Sequence, residues 1–407
     1  MIRPIRAIAL ILCAGLLLAA AAQAESLGPA RSYDELLRLA ASAADGDVIL
    51  ISGEIAAAQD TPLTSASAIR IRSSDEGHAV IDALRLRDAL VTFDDIDLLD
   101  SLTIEGRSVV ELTGGVTVTG AAGREGIRFS GSGTLLLDSG SLVIGGSGSA
   151  GLAISHESGD FYGHLDGTVR GGNGSTGGVG VEVSPLQQSG ALMVSGTIAG
   201  GDGSSIGGHA LNLYALSGNA FITLDGVLRG GSGHIGGNGV QIVSAADSVV
   251  VGVGGRIYGG QGETYGGNSL MLMNVGGGAS INLTGALLGG DATDAAATPG
   301  ASLLLVGDTT SAHTFVSGCL FEEGRLLAAQ TSVAEPAVTP LPEIVASVDH
   351  ATLLPQTSPS ETGDELPEAG EEDEPLEPED GATHEALPEQ TLPPEPAPAE
   401  SFDAPQA

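Results

Sequence analysis

The chain has 407 residues and a formal net charge of −36 at pH 7, and it contains no lysine. Because binding to phosphate backbones needs clustered Lys and Arg, this charge excludes nucleic acid as a partner. The 63 glycines, the 3% aromatic content and the lack of tryptophan are poor material for a globular core. They suit narrow coils filled by Val, Ile, Leu and Ala.

The first 24 residues have the organisation of a secretory signal peptide. Arg3 and Arg6 give a basic start, an apolar run follows, and Ala22-Gln23-Ala24 forms a cleavage motif. We therefore expect a secreted or extracytoplasmic protein, extracellular or at the cell surface, with the periplasm as an alternative. After cleavage Cys319 is the only cysteine, so we expect no intramolecular disulfide. No later segment is long and apolar enough to span a bilayer.

Residues 25–46 are predicted to form an N-terminal capping helix. Ser32 and Glu35 have the spacing of a capping box, and an apolar helical face follows up to Gly46. A stacked sheet ends in open backbone groups and apolar side chains, which an amphipathic helix can cover. The sequence therefore predicts a lid over the first coil.

Short runs of alternating apolar residues follow between residue 47 and about residue 120. Period-two patterns of β-branched residues indicate strands, and runs of four or five residues are too short for helices. The runs are Val48 to Ile51, Ile69 with Ile71, Val80 with Ile81, Leu90 to Ile96, Leu102 with Ile104, Val109 to Leu112, and Val116 with Val118.

A paired glycine recurs every 29 or 30 residues within a glycine-rich region at residues 140–307. Three short apolar runs in each unit predict one coil of a parallel β-helix, whose strands pair with their copies about 4.8 Å away in the next coil. Glycine at a coil corner permits a positive φ or a close backbone approach. The first pairs are Gly171-Gly172, Gly200-Gly201, Gly230-Gly231, Gly259-Gly260 and Gly289-Gly290, and in four units a second pair follows, as at Gly177-Gly178.

Three segments carry a recognisable pattern: residues 45–53 are DGDVILISG, residues 68–73 are AIRIRS, and residues 79–82 are AVID. With the capping helix before them, they resemble the right-handed parallel β-helix, or pectin-lyase-like, superfamily of secreted and surface bacterial proteins. The resemblance covers roughly residues 32–320 and is a likeness of fold pattern. It implies an extracellular rod and, in many members, contact with polysaccharide. We predict an all-β solenoid of about ten coils over residues 47–330, with a closing coil or cap at 313–329.

The residue after each first glycine pair is polar in every unit. If the coils are in register, these side chains form a row along one edge of the solenoid. Such a row is either a binding stripe or a solvated, mutually hydrogen-bonded turn ladder, and the sequence leaves both open. The five residues are Asn173, Asp202, Ser232, Gln261 and Asp291.

An acidic cluster at Asp94, Asp95, Asp97 and Asp100 is the candidate for chemistry, because paired carboxylates can cleave glycosidic bonds. The motifs expected of polygalacturonases in the resembled superfamily, Gly-His-Gly and Arg-Ile-Lys, are absent. The histidines share no repeat position or metal-ligand spacing, so we interpret them as surface or turn residues. We therefore expect no metal and no cofactor, and we predict a non-enzymatic protein.

Residues 331–407 are predicted to be disordered. From Glu335 onward the chain holds 19 acidic residues, no Lys or Arg, and 14 of the 19 prolines. Such a segment buries too little apolar surface to offset its chain entropy. We interpret it as an extended, acidic spacer.

Two functions follow as hypotheses. The favoured one is an exported, non-enzymatic β-helix that acts as a structural, adhesive or glycan-binding rod, with polysaccharide or another surface protein as its partner. The alternative is a polysaccharide lyase or glycoside hydrolase. A panel of polysaccharides separates the two, because a lyase or hydrolase releases product whereas a binding rod only retains its ligand.

Overall fold

The computed structural model describes residues 24–306, apart from residues 58–59, 75–76, 157–158, 187–188, 246–248, 276–278 and 295–296, and also describes three short strands between residues 313 and 326. Within these residues the chain is an all-β parallel solenoid. The predicted signal peptide, up to residue 23, and the predicted tail, residues 331–407, lie outside the described residues.

The N-terminus covers the first coil with a strand and a helix. Strand β1 (Ser26–Ala30) pairs in parallel with β2 (Val48–Ile51), and helix α1 (Tyr33–Ser42) packs against both. Ser32 caps the helix through its Oγ, which accepts from the N–H of Glu35 at 3.3 Å. The sequence predicts the helix but not β1, whose Gly28-Pro29 indicates a turn rather than a strand. No helix in the described part of the chain is long and apolar enough to cross a membrane.

In the N-terminal coils, a long strand of a first sheet alternates with a short strand of a second sheet. Pairing is parallel, and each strand pairs with its copy in the next coil. The strands are β3 (Glu54–Ala56), β4 (Leu63–Ser73), β5 (Ala79–Asp82), β6 (Arg85–Asp94), β7 (Ile96–Leu99), β8 (Leu102–Thr113), β9 (Thr117–Thr119), β10 (Ile127–Leu137) and β11 (Leu142–Ile144).

In the glycine-rich coils the long strand is divided in two, and a third sheet is added. β10 marks the transition, because it pairs with both β12 and β13. The strands are β12 (Leu152–His156), β13 (Asp160–Leu165), β14 (Thr168–Arg170), β15 (Gly174–Thr176), β16 (Val181–Leu186), β17 (Ser189–Val194), β18 (Thr197–Ala199), β19 (Gly203–Ile206), β20 (Leu211–Leu216), β21 (Phe221–Leu224), β22 (Val227–Arg229), β23 (Gly233–Ile235), β24 (Val240–Ala245), β25 (Val250–Val253), β26 (Arg256–Tyr258), β27 (Gly262–Tyr265), β28 (Leu270–Val275), β29 (Ser280–Leu283), β30 (Ala286–Leu288) and β31 (Leu303–Val306).

The second sheet contains ten strands, and β15, β19, β23 and β27 form the third sheet. The solenoid makes about eight turns, slightly fewer than the ten coils expected. The third sheet is absent from the sequence prediction, because its strands are short and polar.

The core consists of aliphatic side chains stacked in columns along the solenoid. Alternate residues of each strand point inward, and parallel pairing brings equivalent residues of successive coils together. One column is Ile154, Val183, Leu213, Ile242 and Leu272, all at most 2% exposed. Burial of each such side chain contributes roughly 1.5–3 kcal/mol, so the stacked columns stabilise the solenoid.

The parallel stacking ends after residue 316. Strand β32 (His313–Val316) pairs in parallel with β29, but β33 (Cys319–Glu322) and β34 (Arg325–Leu326) then continue as antiparallel strands. Within the expected closing coil or cap at residues 313–329, the described strands thus end the parallel stack with antiparallel pairing. Because the chain reverses its direction, the next strand pairs beside β32 instead of starting another coil.

Candidate functional site

One edge of the solenoid changes its shape along the rod. We call the connection from the second sheet to the next strand of the first sheet the return corner. It is short in the N-terminal coils, where residues 83–84 and 100–101 form it, and it lengthens to residues 120–126 and then to stretches such as 171–180. The edge therefore carries a recess in its first part and an added third sheet in its second part.

The recess is a polar cleft of about 420 Å³. Four successive return corners and the strands that leave them supply its walls. Its lining contains three guanidinium groups, four carboxylates and two hydroxyls, without any aromatic ring. The lining residues are Asp60, Ala83, Arg85, Asp100, Ser101, Thr103, Glu105, Gly123, Arg124, Glu125 and Arg128.

Parallel register sets the positions of the cleft arginines. Arg85 lies beside Thr103 of the next coil, and Thr103 lies beside Arg128 of the coil after that. The Arg85 guanidinium donates to both carboxylate oxygens of Glu105, at 3.1 and 2.9 Å, and Arg87 donates to Glu105 Oε2 at 2.7 Å. Two arginines therefore hold this one carboxylate in place.

Both glutamates of the polar cleft are stabilised as carboxylates. Burial alone would raise the pKa of Glu105, but hydrogen bonds and charge from Arg85 and Arg87 outweigh it and lower that pKa. Glu125 accepts from Arg128 at 2.8 Å, and its pKa is likewise lowered against the effect of burial. A general acid for glycosidic cleavage needs a raised pKa, so neither glutamate is suited to that role.

The two aspartates of the polar cleft differ from the glutamates, because no described arginine holds their carboxylates. Within the described residues, the carboxylates of Asp60 and Asp100 form no hydrogen bond or ion pair. Asp100 has a left-handed backbone, with φ of 59°, at a return corner. These oxygens are therefore available to accept hydrogen bonds from a ligand.

The other candidate aspartates lie at the opposite corner of the coil. Asp94 is 3.4 Å from Arg70 Nη1, and Asp97 is 3.0 Å from His78 Nε2. Asp95 is exposed beside the same histidine, at 3.7 Å from its Nδ1. The structure therefore separates these three residues from Asp100, which lines the polar cleft.

Two histidine environments bear on catalysis. Ser195 Oγ lies 3.0 Å from His164 Nε2 and donates to Asp166 Oδ1 at 2.9 Å. In a serine hydrolase the carboxylate orients the histidine and the histidine takes the hydroxyl proton, so this exposed cluster has the wrong order.

His156 is fully buried, with Nδ1 2.8 Å from Gly131 O, and its interpretation as a surface or turn residue is wrong.

The lengthened return corners form what we call the glycine ridge. In each coil the backbones of the two glycine pairs pack directly against each other. Gly178 N–H donates to Gly172 O, Gly201 N–H donates to Gly178 O, and Gly208 N–H donates to Gly201 O. The alternation continues to Gly300 N–H, which donates to Gly290 O, so one zigzag of hydrogen bonds runs along the ridge.

Close approach, not a positive φ, explains these glycines. A Cβ added at Gly178 or Gly208 would lie 1.9 Å from a backbone oxygen of the preceding coil. None of the paired glycines has a positive φ. Because no side chain fits between the two columns of glycine, the third sheet outside them is separated from the hydrophobic core.

The predicted polar row lies in register on this ridge, and all five side chains are exposed. Asn173 Oδ1 accepts from the N–H of Asp202, and Asp202 Oδ1 accepts from the N–H of Ser232, both at 2.8 Å. The first members of the row thus form a turn ladder through one oxygen each. Asp202 Oδ2 also lies 3.4 Å from Arg170 Nη2.

A second ladder of side-chain to backbone hydrogen bonds follows the second glycine pairs, and the sequence analysis does not predict it. Asn238 Oδ1 accepts from the N–H of Asn268 at 2.9 Å, and Asn268 Oδ1 accepts from the N–H of Ala301 at 3.0 Å. His209 holds the equivalent place one coil earlier, where its Nδ1 accepts from the N–H of Asn238 at 2.9 Å. The polar residue that follows the second glycine pair in these coils is the sequence signal that could have predicted this ladder.

The fold and these edges define a parallel β-solenoid with a polar cleft and a glycine ridge on one edge. Comparison with family profiles, curated proteins and solved structures finds no match for this chain. Among the described residues, no group of three or more His, Cys, Asp or Glu side chains is arranged to hold a metal ion.

Proposed function

We propose that this chain is an exported, non-enzymatic rod that binds glycan through its polar cleft, at a surface or outside the cell. We also propose that its coils are right-handed, as in the pectin-lyase-like superfamily that its first coils resemble. The single observation that carries the binding role is the composition of the cleft, in which fixed guanidinium donors alternate with carboxylate acceptors.

Sugar hydroxyls both donate and accept hydrogen bonds, so a glycan needs both kinds of partner. Asp60 and Asp100 offer free acceptor oxygens, and Arg124 adds a donor at the same wall. The salt bridges of Glu105 and Glu125 keep the remaining side chains in fixed positions. Pre-positioned polar groups reduce the ordering cost of binding.

The same geometry favours binding over cleavage. Acid catalysis requires a carboxyl group that is protonated near neutral pH, whereas Glu105 and Glu125 both have lowered pKa values. Neither glutamate of the cleft therefore provides the positioned acid that the alternative function, a lyase or hydrolase, would need.

The test incubates the secreted chain with immobilised uronate-containing and neutral polysaccharides and measures retention and product release together. Asp100→Asn and Arg124→Gln should each reduce retention by about tenfold, on the order of one hydrogen bond to a charged group. Asp95→Asn is the matched control, because Asp95 and Asp100 both occupy left-handed positions at corners, with φ of 53° and 59°. Asparagine tolerates that backbone conformation.

Three outcomes decide the proposal. Retention that depends on Asp100 but not on Asp95, without release of product, supports glycan binding. Release of reducing or unsaturated ends supports the lyase or hydrolase instead. Equal retention by all variants overturns the assignment of the polar cleft.

A further inference from the structure

The outer surface of the glycine ridge carries a column of apolar side chains. Ile206, Ile235 and Tyr265 are paired in register on β19, β23 and β27, and they are 42%, 38% and 52% exposed. Thr176 and Thr298 extend this apolar column by one coil at each end. The glycine columns separate it from the core, so packing within the coil does not explain its apolar character. Clustered exposed apolar side chains indicate an interaction surface.

The polar row described above runs beside the apolar column, and we call it the polar column here. Its members are Asn173, Asp202, Ser232, Gln261 and Asp291, all exposed. The middle coil of both columns holds Ser232 and Ile235. Asp202 and Gln261 lie one coil from Ser232 on opposite sides, and Asn173 and Asp291 lie two coils from it on opposite sides. Each acidic residue therefore has an amide residue at the same distance on the other side of the middle coil.

We propose that the glycine ridge binds the glycine ridge of a second copy of this chain, with the two rods antiparallel and the two-fold axis along β23. This axis keeps each column opposite itself but reverses its order. Ile235 then meets Ile235, and Ile206 meets Tyr265. In the polar column, Asp202 meets Gln261 and Asn173 meets Asp291.

Self-complementarity is the argument for a second copy as the partner. A C2 interface brings one surface patch against itself, so the patch must match its own reversed image. Here each carboxylate of the polar column faces an amide that can donate to it, and no acid of that column faces an acid. Asp202 Oδ2 lies 3.4 Å from Arg170 Nη2, while the exposed side chain of Gln261 forms no hydrogen bond within the described residues.

A parallel arrangement lacks this match. A two-fold axis along the apolar column would pair Ile206 with Ile206 but leave the two polar columns on opposite sides. An axis along the polar column would place Asp202 against Asp202 and Asp291 against Asp291. Like charges directly opposite each other are destabilising, so the antiparallel arrangement uses both columns and the parallel ones do not.

The size of the surface predicts a weak association. The four strands of the third sheet and the bridged segment of the following coil lie about 4.8 Å apart, each three or four residues long at about 3.3 Å per residue, and together cover roughly 24 by 12 Å. Such an interface is smaller than the roughly 1,200–2,000 Å² of total buried area in stable complexes. The net charge of −36 on each copy adds long-range repulsion, which salt screens. Dimerisation should therefore strengthen as salt rises.

The experiment is sedimentation equilibrium of the full chain without its predicted signal peptide, at 0.15 and 0.5 M NaCl. The expected result is a concentration-dependent dimer whose dissociation constant is lower at the higher salt. Ile235→Ser with Tyr265→Ser should raise that constant at least tenfold. Tyr214→Ser with Phe221→Ser is the matched control, because these side chains are 49% exposed but lie on the first sheet.

A charge cycle tests the register. Gln261→Glu places an acid opposite Asp202 and should weaken the dimer several-fold. Adding Asp202→Asn restores an acid–amide pair and should recover the original constant, and Gln261→Lys should strengthen the dimer. A chain that stays monomeric at all concentrations, or a dimer that ignores the changes at residue 261, overturns the proposal. Unchanged circular dichroism of every variant confirms that folding is intact.

Discussion

The coils before β12 and the coils after it share one core but differ at the return corner. In the first group the corner is as short as residues 83–84, and its polar side chains surround a cleft. In the second group the corner grows to stretches such as 200–210, and glycine pairs fold it into a ridge. The inward columns run through both groups without a change. The stacked core residues therefore maintain the solenoid, while the length of the return corner determines whether its edge carries a cleft or a ridge.

The ridge should depend on its glycines more than on any other residue type. Gly208→Ala would bring a Cβ to 1.9 Å from the backbone oxygen of Gly178. Neither backbone can move without breaking the zigzag of hydrogen bonds, so we expect a loss of about 4 kcal/mol in the free energy of unfolding. Chemical denaturation followed by circular dichroism measures it.

Gly252→Ala provides the control for this change. The nearest atom to a Cβ at Gly252 is Ile222 O, at 3.9 Å, and Gly252 has no positive φ. The substitution should therefore alter stability by less than about 0.5 kcal/mol. If both variants unfold at the same denaturant concentration, the glycine columns are not close-packed and the distinction between the two groups of coils fails.

A shared core predicts equal costs for equivalent truncations in the two groups. Leu98 on β7 and Leu228 on β22 are both fully buried inward residues of the second sheet. Leu98→Ala and Leu228→Ala should each reduce stability by about 2–5 kcal/mol, through lost burial and the cavity that remains. Thermal and denaturant unfolding of the pair check this. A large difference, with only one variant near wild-type stability, would mean that the two groups have separate cores.

The sequence predicts the features that repeat locally and misses those that depend on pairing between coils. The alternation of residues such as Val181 and Val183 predicts the strands, and the glycine spacing predicts the stacking. Short polar strands such as β15 escape detection, because their hydrogen bonds are made entirely to the next coil. The same reason hides the polar cleft, whose lining brings together residues of different coils, such as Arg85 and Glu105, which are 20 residues apart in the chain.

His209 should give the ridge a dependence on pH. Burial lowers the pKa of His209, and its Nδ1 accepts a hydrogen bond from Asn238 N–H, so the folded state holds the neutral ring. The unfolded chain, with a pKa of about 6.5, binds more protons than the folded chain below that pH. Stability is therefore unaffected above about pH 6.5 and falls as the pH decreases towards the folded pKa.

His209→Asn should reduce this acid sensitivity, because Asn238 and Asn268 already fill the equivalent place. Melting temperatures at pH 7.5 and 5.0 should differ less in the variant than in the unchanged chain. His234→Asn is the control, since His234 is an exposed residue of the ridge beside Glu263. An equal acid-induced drop for His209→Asn and the unchanged chain would contradict the assignment.

The smallest expected change in stability concerns the bend at which the long strand of the first sheet is divided in two. Both groups of coils use left-handed backbone near this bend, at Asp88 with φ of 49° in the first and at Ala215, Ser244 and Asn274 with φ of 54°, 61° and 50° in the second. Alanine resists this conformation, whereas asparagine tolerates it. Ala215→Asn should therefore stabilise the chain by about 0.5–1 kcal/mol, and Asn274→Ala should destabilise it by a similar amount. Denaturant midpoints of the two variants measure both changes, and equal signs would show that side-chain contacts rather than backbone strain govern the bend.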